Sequence, residues 1–301
     1  MHPITDALPD ALCYLDGDYA PLRDAKVSVL DRGFIFGDGV YEVVPVYGGV
    51  PFCFEEHMAR LGRSLAELRI ANPRTPAQWH AIAMRLIEAS PASERAAVQA
   101  IYIQVTRGVA PREHSMPQGL VPTVFVMLNP MKPVSDAVRA KGVACVSAHD
   151  FRWQKAHIKS TSLLGAVLAR QISVEAGAAE TIMFRDDWLS EASSSNVWVV
   201  KDGAVCGPPK DELVLAGIRY GLIERICADA NIPFALRRIA RDEVFGADEL
   251  LLSSASKEVL PVVVLDDQPI GSGRPGPVFQ ALNAGYQRAI ERSAQEHGVT
   301  A

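Results

Sequence analysis

The stretch Asn129-Pro130-Met131-Lys132-Pro133 constrains this chain more than any other. Its prolines lack the amide proton that continues a helix or a central strand, and each biases the residue before it toward extended backbone. A short, stiff connection is the consequence. It follows an apolar run that reads as a strand and precedes another, Gly142 to Ser147, that reads as the next. The 301 residues therefore divide into an N-terminal domain (1–128), a linker (129–133) and a larger C-terminal domain (134–301). Each is long enough for a core of its own.

Both parts mix strand and helix signals. Leu12 to Leu22 reads as a hairpin turning at Asp16-Gly17-Asp18, and Ile101, Ile103 and Val105 alternate along a strand. From Glu55, the residues Met58, Leu61, Leu65 and Leu68 recur at helical spacing. Thr75-Pro76-Ala77-Gln78 is a capping box with proline at the first helical position, and Trp79, Ile82 and Leu86 give that helix its apolar face. Further on, Arg185-Asp186-Asp187 and Lys201-Asp202-Gly203 are turns between strands, and a helix is expected from near Gly217. GSGRPG (271–276) lacks the Lys-Ser/Thr of a phosphate loop and reads as a turn before the last helix. The pattern predicts an α/β fold of the α+β type.

Composition narrows the function classes. The chain is 49% hydrophobic and 22% charged, as a globular protein is, with a net charge of -5 that argues against nucleic acid or an anionic membrane as partner. Its longest apolar runs, Val121–Leu128 and Val259–Leu265, are of strand length, too short to cross a bilayer. Cys13, Cys53, Cys145, Cys206 and Cys227 are scattered and odd in number, which favours reduced thiols in a cytoplasmic setting. No secretory signal is visible in the first 19 residues, and His2, His80, His149 and His297 show no metal-ligand spacing.

Chemistry concentrates around Lys159. His157-Ile158-Lys159 leads into Leu163, Leu164, Val167, Leu168 and Ile172, spaced as one face of a helix, with Ser160, Thr161 and Ser162 as candidate N-caps. The positive end of a helix dipole disfavours an ammonium there, and shielding from water adds to the effect. A neutral lysine amine is what Schiff-base chemistry uses. By residue type alone, the same lysine also reads as a surface residue ahead of a helix.

A larger pattern contains this stretch. DRGFIFGDGVYEVV (31–44), EEHMARL (55–61), QVTRGVAPREH (104–114), HIKSTSLLGAVLA (157–169), SEASSSNVW (190–198) and LLSSASKEVLPV (251–262) together resemble the fold-type IV pyridoxal-phosphate aminotransferases. Among these the D-amino-acid transaminases are the most similar. The matches keep the family's order and cover nearly the whole chain.

The resemblance implies a two-domain architecture with pyridoxal 5′-phosphate (PLP) in the interdomain cleft. It makes Lys159 the lysine that carries the cofactor as a Schiff base, and Glu191 the carboxylate facing the pyridine nitrogen. Ser194 and Ser195 fall in the same cofactor-binding run as Glu191. Arg60, the amides of Ile218 and Arg219 after Gly217, and Ser254, Ala255 and Ser256 correspond to the phosphate site, and Leu215 to a leucine that buttresses the ring. The sequence departs from the family at Arg219 and Ala255, where threonine is usual. Arg219 either replaces the hydroxyl as a charged ligand or points away. Tyr41 and Val43 share one strand face by period two, and with Arg112 and His114 correspond to the substrate site. The Arg112-x-His114 loop implies a homodimer, since in the family it reaches from the partner subunit to hold the substrate carboxylate.

The expected reaction exchanges an amino group between a D-amino acid such as D-alanine and a 2-oxo acid, 2-oxoglutarate or pyruvate. A branched-chain L-amino-acid aminotransferase, an aminodeoxychorismate lyase and an (R)-amine transaminase share the fold. A non-catalytic PLP carrier would need Lys159 but not Tyr41 and Arg112.

Overall fold

The computed structural model describes residues 11–91 and 98–298. His2 and the start of the N-terminal stretch read for a signal lie outside these residues. The described chain falls into two compact units. One holds the residues up to Lys132, Ile158–Leu163 and those from Ser293; the other holds Pro133–His157 and Leu164–Arg292. The sequence division at 129–133 assigns Ile158–Leu163 to the C-terminal part, but this segment packs with the first unit. Ser160 bridges Val40 there, and the amide of Tyr41 donates to the carbonyl of Lys159 at 3.0 Å. The expected linker begins late as well, because a strand runs through Pro130.

The first unit is built on a six-stranded antiparallel sheet. Its strands are β1 (Leu12–Leu15), β2 (Asp18–Pro21), β3 (Gly39–Tyr47), β4 (Val50–Pro51), β5 (Gln99–Thr106) and β6 (Val124–Pro130), in the order β2-β1-β6-β5-β3-β4. Asp16 and Gly17 make the β1–β2 turn, both with positive φ. Short helix α1 (Arg32–Phe36) precedes β3, while α2 (Phe54–Glu67) and α3 (Pro76–Ala89) follow β4. The expected capping box at Thr75 and Gln78 starts α3. Val40, Val44 and Val46 of β3 join Ile101, Ile103 and Val105 of β5, Leu61 and Leu65 of α2, and Trp79 and Leu86 of α3 in one core. Burying a side chain of this size contributes about 1.5–3 kcal/mol each.

The second unit carries a nine-stranded mixed sheet. Its strands are β7 (Val143–His149), β8 (Thr181–Arg185), β9 (Trp188–Ala192), β10 (Asn196–Lys201), β11 (Ala204–Gly207), β12 (Phe234–Leu236), β13 (Glu249–Ser254), β14 (Glu258–Leu265) and β15 (Gln268–Pro269). The order is β12-β11-β10-β13-β14-β7-β8-β9, with β15 beside β14, and β7 runs parallel to both its neighbours. The helices are α4 (Asp136–Lys141), α5 (Leu164–Glu175), α6 (Arg219–Asp229), α7 (Arg241–Phe245) and α8 (Pro277–Glu296). The β8–β9 turn uses Asp186 and Asp187 at φ 48° and 62°, a left-handed pair that short polar side chains tolerate.

Candidate active site

In the first unit, Lys159 is held by its backbone. Its amide donates to Ser64 Oγ at 3.2 Å, and its carbonyl accepts from Tyr41. The ammonium lies 4.1 Å from the centroid of the Tyr41 ring, a cation–π distance. Thr161 and Ser162 were candidate caps for the following helix, but their hydroxyls donate to the Gly37 carbonyl, each at 2.9 Å. That glycine has φ 65° and C-caps α1, so the lysine segment is tied to the DRGFIFG turn.

Tyr41 and Val43 are half-buried on one face of β3, while Glu42 and Val44 are buried on the other. Tyr102 and Gln104 stand opposite Val43 and Tyr41 on β5, and the Tyr102 hydroxyl donates to Gln104 Oε1 at 2.7 Å. Burial and the neighbouring Tyr41 push the Tyr102 phenol up to about 12. Sequence reasoning passed over Tyr102 and Gln104. Their alternation with Ile101, Ile103 and Val105 is the signal that could have placed them on this face.

Arg60, expected at the phosphate site, is buried and grips Glu42. Nε and Nη2 each lie 2.7 Å from a different oxygen of that carboxylate, and His57 Nδ1 lies 2.8 Å from one of them. Burial alone raises the pKa of Glu42, but Arg60 and His57 outweigh it and hold the carboxyl far below its ordinary range. A lone carboxylate in an apolar strand signals such a cation, because an unpaired charge would be too costly there.

The loop carrying Arg112 and His114 leaves β5 and is exposed. Both side chains rest on Phe36, with the Arg112 guanidinium 5.6 Å and the His114 ring 5.5 Å from its centroid.

In the second unit, Glu191 is buried at the end of β9 and is triply held. Arg152 Nη1 donates to it at 2.7 Å, the Leu215 amide at 3.1 Å and Asn196 Nδ2 at 3.3 Å. Burial raises its pKa and the charge of Arg152 opposes this, with a net rise. Asp150 fastens Arg152 through Nε and Nη2, both at 2.9 Å, and also receives Ser190 Oγ and Arg185. Asn196 also donates to the Leu215 carbonyl at 2.9 Å, which ties the Leu215–Gly217 loop to Glu191. A Cβ on Gly217 would meet Asn196 Oδ1 at 2.0 Å, so a side chain there would have to displace Asn196 or the backbone.

Ser195 is buried and Ser194 exposed. With Ser193 they donate to the buried carboxylate of Glu180, which Lys257 Nζ also approaches to 2.6 Å. Ser254 Oγ accepts from the Lys257 amide at 3.1 Å and lies 3.5 Å from Ser256 Oγ, with Ala255 between them in the β13–β14 turn. Helix α6 starts after Ile218 with no side-chain cap on its N-terminus. Arg219 does not face solvent. It is buried, with its guanidinium 5.5 Å from the Tyr286 ring centroid.

One unit thus presents an amine over an aromatic ring, and the other a buried, cation-held carboxylate beside an uncapped helix start. A lysine amine and a buried carboxyl are groups that the chemistry of an electron-poor heteroaromatic cofactor uses. The family profile described as amino-transferase class IV matches residues 39–265. The chain belongs to the class IV aminotransferases. This class IV aminotransferase is 37% identical over 278 residues to the D-alanine aminotransferase of Staphylococcus aureus (strain N315), covering 92% of this chain and 97% of that protein. To the D-alanine aminotransferase of Bacillus licheniformis it is 36% identical over 268 residues, or 89% and 93% of the two chains. Its fold is similar to that of the T.th. branched-chain amino acid aminotransferase with pyridoxamine 5′-phosphate. That match has a TM-score of 0.85 at 23% identity over 96% of this chain and 95% of the other. The branched-chain aminotransferase of Thermoproteus uzoniensis gives 0.83 at 23%, over 95% and 96%. The mixed architecture expected of a fold-type IV aminotransferase is therefore the one observed.

Proposed function

We propose that this aminotransferase moves the amino group of a D-amino acid, D-alanine among them, to a 2-oxo acid such as 2-oxoglutarate or pyruvate, with PLP as cofactor. The match to D-alanine aminotransferase across 92% of the chain carries this reading. Arg112 and His114 beside one another on Phe36 support it, because a planar guanidinium is suited to a carboxylate.

The residues fit the cofactor. Glu191 is a buried carboxylate with a cation and two amide donors behind it, as a ring nitrogen requires. An uncapped helix start at Ile218 and Arg219 suits a phosphate. Lys159 would hold PLP covalently. Arg60, the amides of Ile218 and Arg219, and Ser254 or Ser256 would hold its phosphate, with Leu215 against the ring. The Arg219 side chain is turned to Tyr286, so its part is the main-chain one. Ser194 and Ser195 act through Glu180.

Bound PLP supplies a ring that accepts the electrons released when the substrate Cα loses its proton. The Lys159 amine, released when the substrate amine takes its place, would take the Cα proton and deliver it to C4′ of the cofactor. Glu191, held by Arg152, Asn196 and the Leu215 amide, would face the ring nitrogen and favour its protonated form. Arg112, His114 and Tyr41 fix the substrate carboxylate, and this decides which enantiomer turns its Cα hydrogen to Lys159.

A homodimer follows in the same reading, with the Arg112–His114 loop serving the neighbouring subunit. Two exposed apolar sets support it. In the first unit Val29, Phe34, Val109 and Val121 are exposed, the last two flanking that loop in sequence; in the second Leu164, Val167 and Leu168 line one side of α5, near Phe151 and Trp153 in sequence. Cys13, Cys53, Cys145, Cys206 and Cys227 form no disulfide among the described residues, which supports a cytoplasmic setting. No helix among the described residues is long and apolar enough to cross a membrane.

The test is an amino-donor assay with purified protein, PLP and 2-oxoglutarate. D-Alanine should give rapid pyruvate formation. Faster turnover of L-leucine, of aminodeoxychorismate or of an (R)-amine would replace this reading with the corresponding relative.

A further inference from the structure

We propose that Arg32 and Phe36 are positioning residues for the Arg112–His114 loop, and that they set how tightly a substrate carboxylate is held. The inference rests on the reading of Arg112 and His114 as the carboxylate-holding pair.

The loop is fastened at its neck and at its middle. At the neck, Gly108 has φ 101°, and a Cβ there would lie 2.1 Å from the Val121 carbonyl oxygen, so the two ends of the loop touch. Arg107, just before it, is clamped by Asp38 at 2.8 and 3.0 Å and by the Leu68 carbonyl at 2.7 Å. At the middle, Arg32 Nη1 donates to the carbonyl of Glu113 at 2.6 Å. That carbonyl lies between Arg112 and His114, so one bond fixes the backbone on which both side chains stand. The Glu113 carboxylate folds back onto the amides of His114 and Ser115, at 2.9 and 3.4 Å, rather than meeting Arg112.

Phe36 completes the support. Its ring carries Arg32 at 4.7 Å, Arg112 at 5.6 Å and His114 at 5.5 Å. Arg32 is committed within the scaffold, with Nε on Asp38 at 2.8 Å and Nη1 on the Glu113 carbonyl, rather than to a substrate anion. The charge of Arg112 is left for one, on a side chain whose position is already restricted. Such preorganisation strengthens binding by removing an ordering cost.

The experiment compares holoenzyme of the wild type, Phe36→Leu and Arg32→Lys, with Arg112→Ala as reference. Propionate, a carboxylate with no amine, is titrated against each and followed by the cofactor's absorbance. PLP retention is measured by dialysis and D-alanine turnover by pyruvate release. Phe36→Leu and Arg32→Lys should each weaken propionate binding and lower kcat/KM for D-alanine by roughly ten- to hundredfold, with PLP retention unchanged. A loss of PLP in step with propionate binding would overturn the proposal by showing general loosening of the fold, and so would unchanged propionate binding. The reference separates the two levels. If Arg112→Ala also leaves propionate binding intact, the carboxylate reading fails and takes the proposal with it. If Arg112→Ala weakens it and the other two do not, only the positioning role is overturned. Phe36→Leu keeps an apolar side chain on a half-buried ring site, so it serves should Arg32→Lys not fold.

Discussion

Arg152 Nη1 stands 2.7 Å from Glu191 Oε1, and with the Leu215 amide it opposes the rise that burial gives the pKa of this carboxyl. With Arg152 in place the pKa of Glu191 is already raised. Arg152→Met removes the opposing charge, so the pKa moves further up. If turnover needs an ionised Glu191, the variant should lose on the order of tenfold or more in kcat at pH 7. It should recover activity as pH rises, with the ascending limb displaced to higher pH than in the wild type. A pH–rate profile of uniformly lower amplitude and unmoved limb would detach Glu191's charge from Arg152.

Glu180 shows the opposite balance. Burial raises its pKa, but Lys257 and the serine hydroxyls outweigh it, and the carboxyl is held below its ordinary value. A carboxylate lowered in this way adds stability above the unfolded pKa, and this is lost as pH falls through the folded one. Lys257→Met strands the charge, at a cost of about 3–5 kcal/mol. The lower part of that range is favoured because the Lys257 side chain is 21% exposed. Urea titration should show the loss, and Lys257→Met with Glu180→Gln should be more stable than Lys257→Met alone. Equal stability of the single and double variants would mean the pair is not coupled.

Lys159→Ala should abolish the visible absorption of the bound cofactor and nearly all turnover, since no other amine is assigned to either function. Borohydride treatment followed by mass spectrometry checks this directly. A variant that still carried reduced cofactor covalently would move the assignment to another lysine.

What the sequence made legible is what short segments decide. The capping box at Thr75 and Gln78, the turns at Asp186-Asp187 and Asp202-Gly203, and the alternation of Ile101, Ile103 and Val105 depend on neighbours within a few residues. Helical spacing likewise put Leu164, Val167 and Leu168 on one face. It could not say what that face covers, and Leu164 is 72% exposed. Lys159 and Glu191 could be singled out because each sits in a recognisable stretch. Their partners could not, because Arg152 is 39 residues from Glu191 and Ser64 is 95 from Lys159. Arg60 was visible as a cation beside an apolar stripe, but its pairing with Glu42 depends on β3 lying next to α2. Pairings between distant residues leave no periodic trace in a single sequence.

Gly217 offers the sharpest steric test of how the second unit holds its ligand groups. Asn196 is buried, and its Nδ2 is engaged by Glu191 at 3.3 Å and the Leu215 carbonyl at 2.9 Å, so it cannot swing aside freely. A Cβ at position 217 would meet Asn196 Oδ1 at 2.0 Å, far inside contact distance. Gly217→Ala must therefore displace either Asn196 or the backbone leading to Ile218 and Arg219. Overpacking of this kind costs about 1–3 kcal/mol. The displaced backbone is the one proposed to receive the phosphate, so PLP affinity should fall by roughly ten- to hundredfold. Adding Asn196→Ala to Gly217→Ala makes room for the methyl and should restore part of that affinity, although Asn196→Ala alone weakens the hold on Glu191. Equilibrium titration of PLP into the apoprotein of all three variants gives the comparison. Wild-type affinity in Gly217→Ala, or no recovery in the double variant, would separate the Asn196–Gly217 contact from phosphate binding.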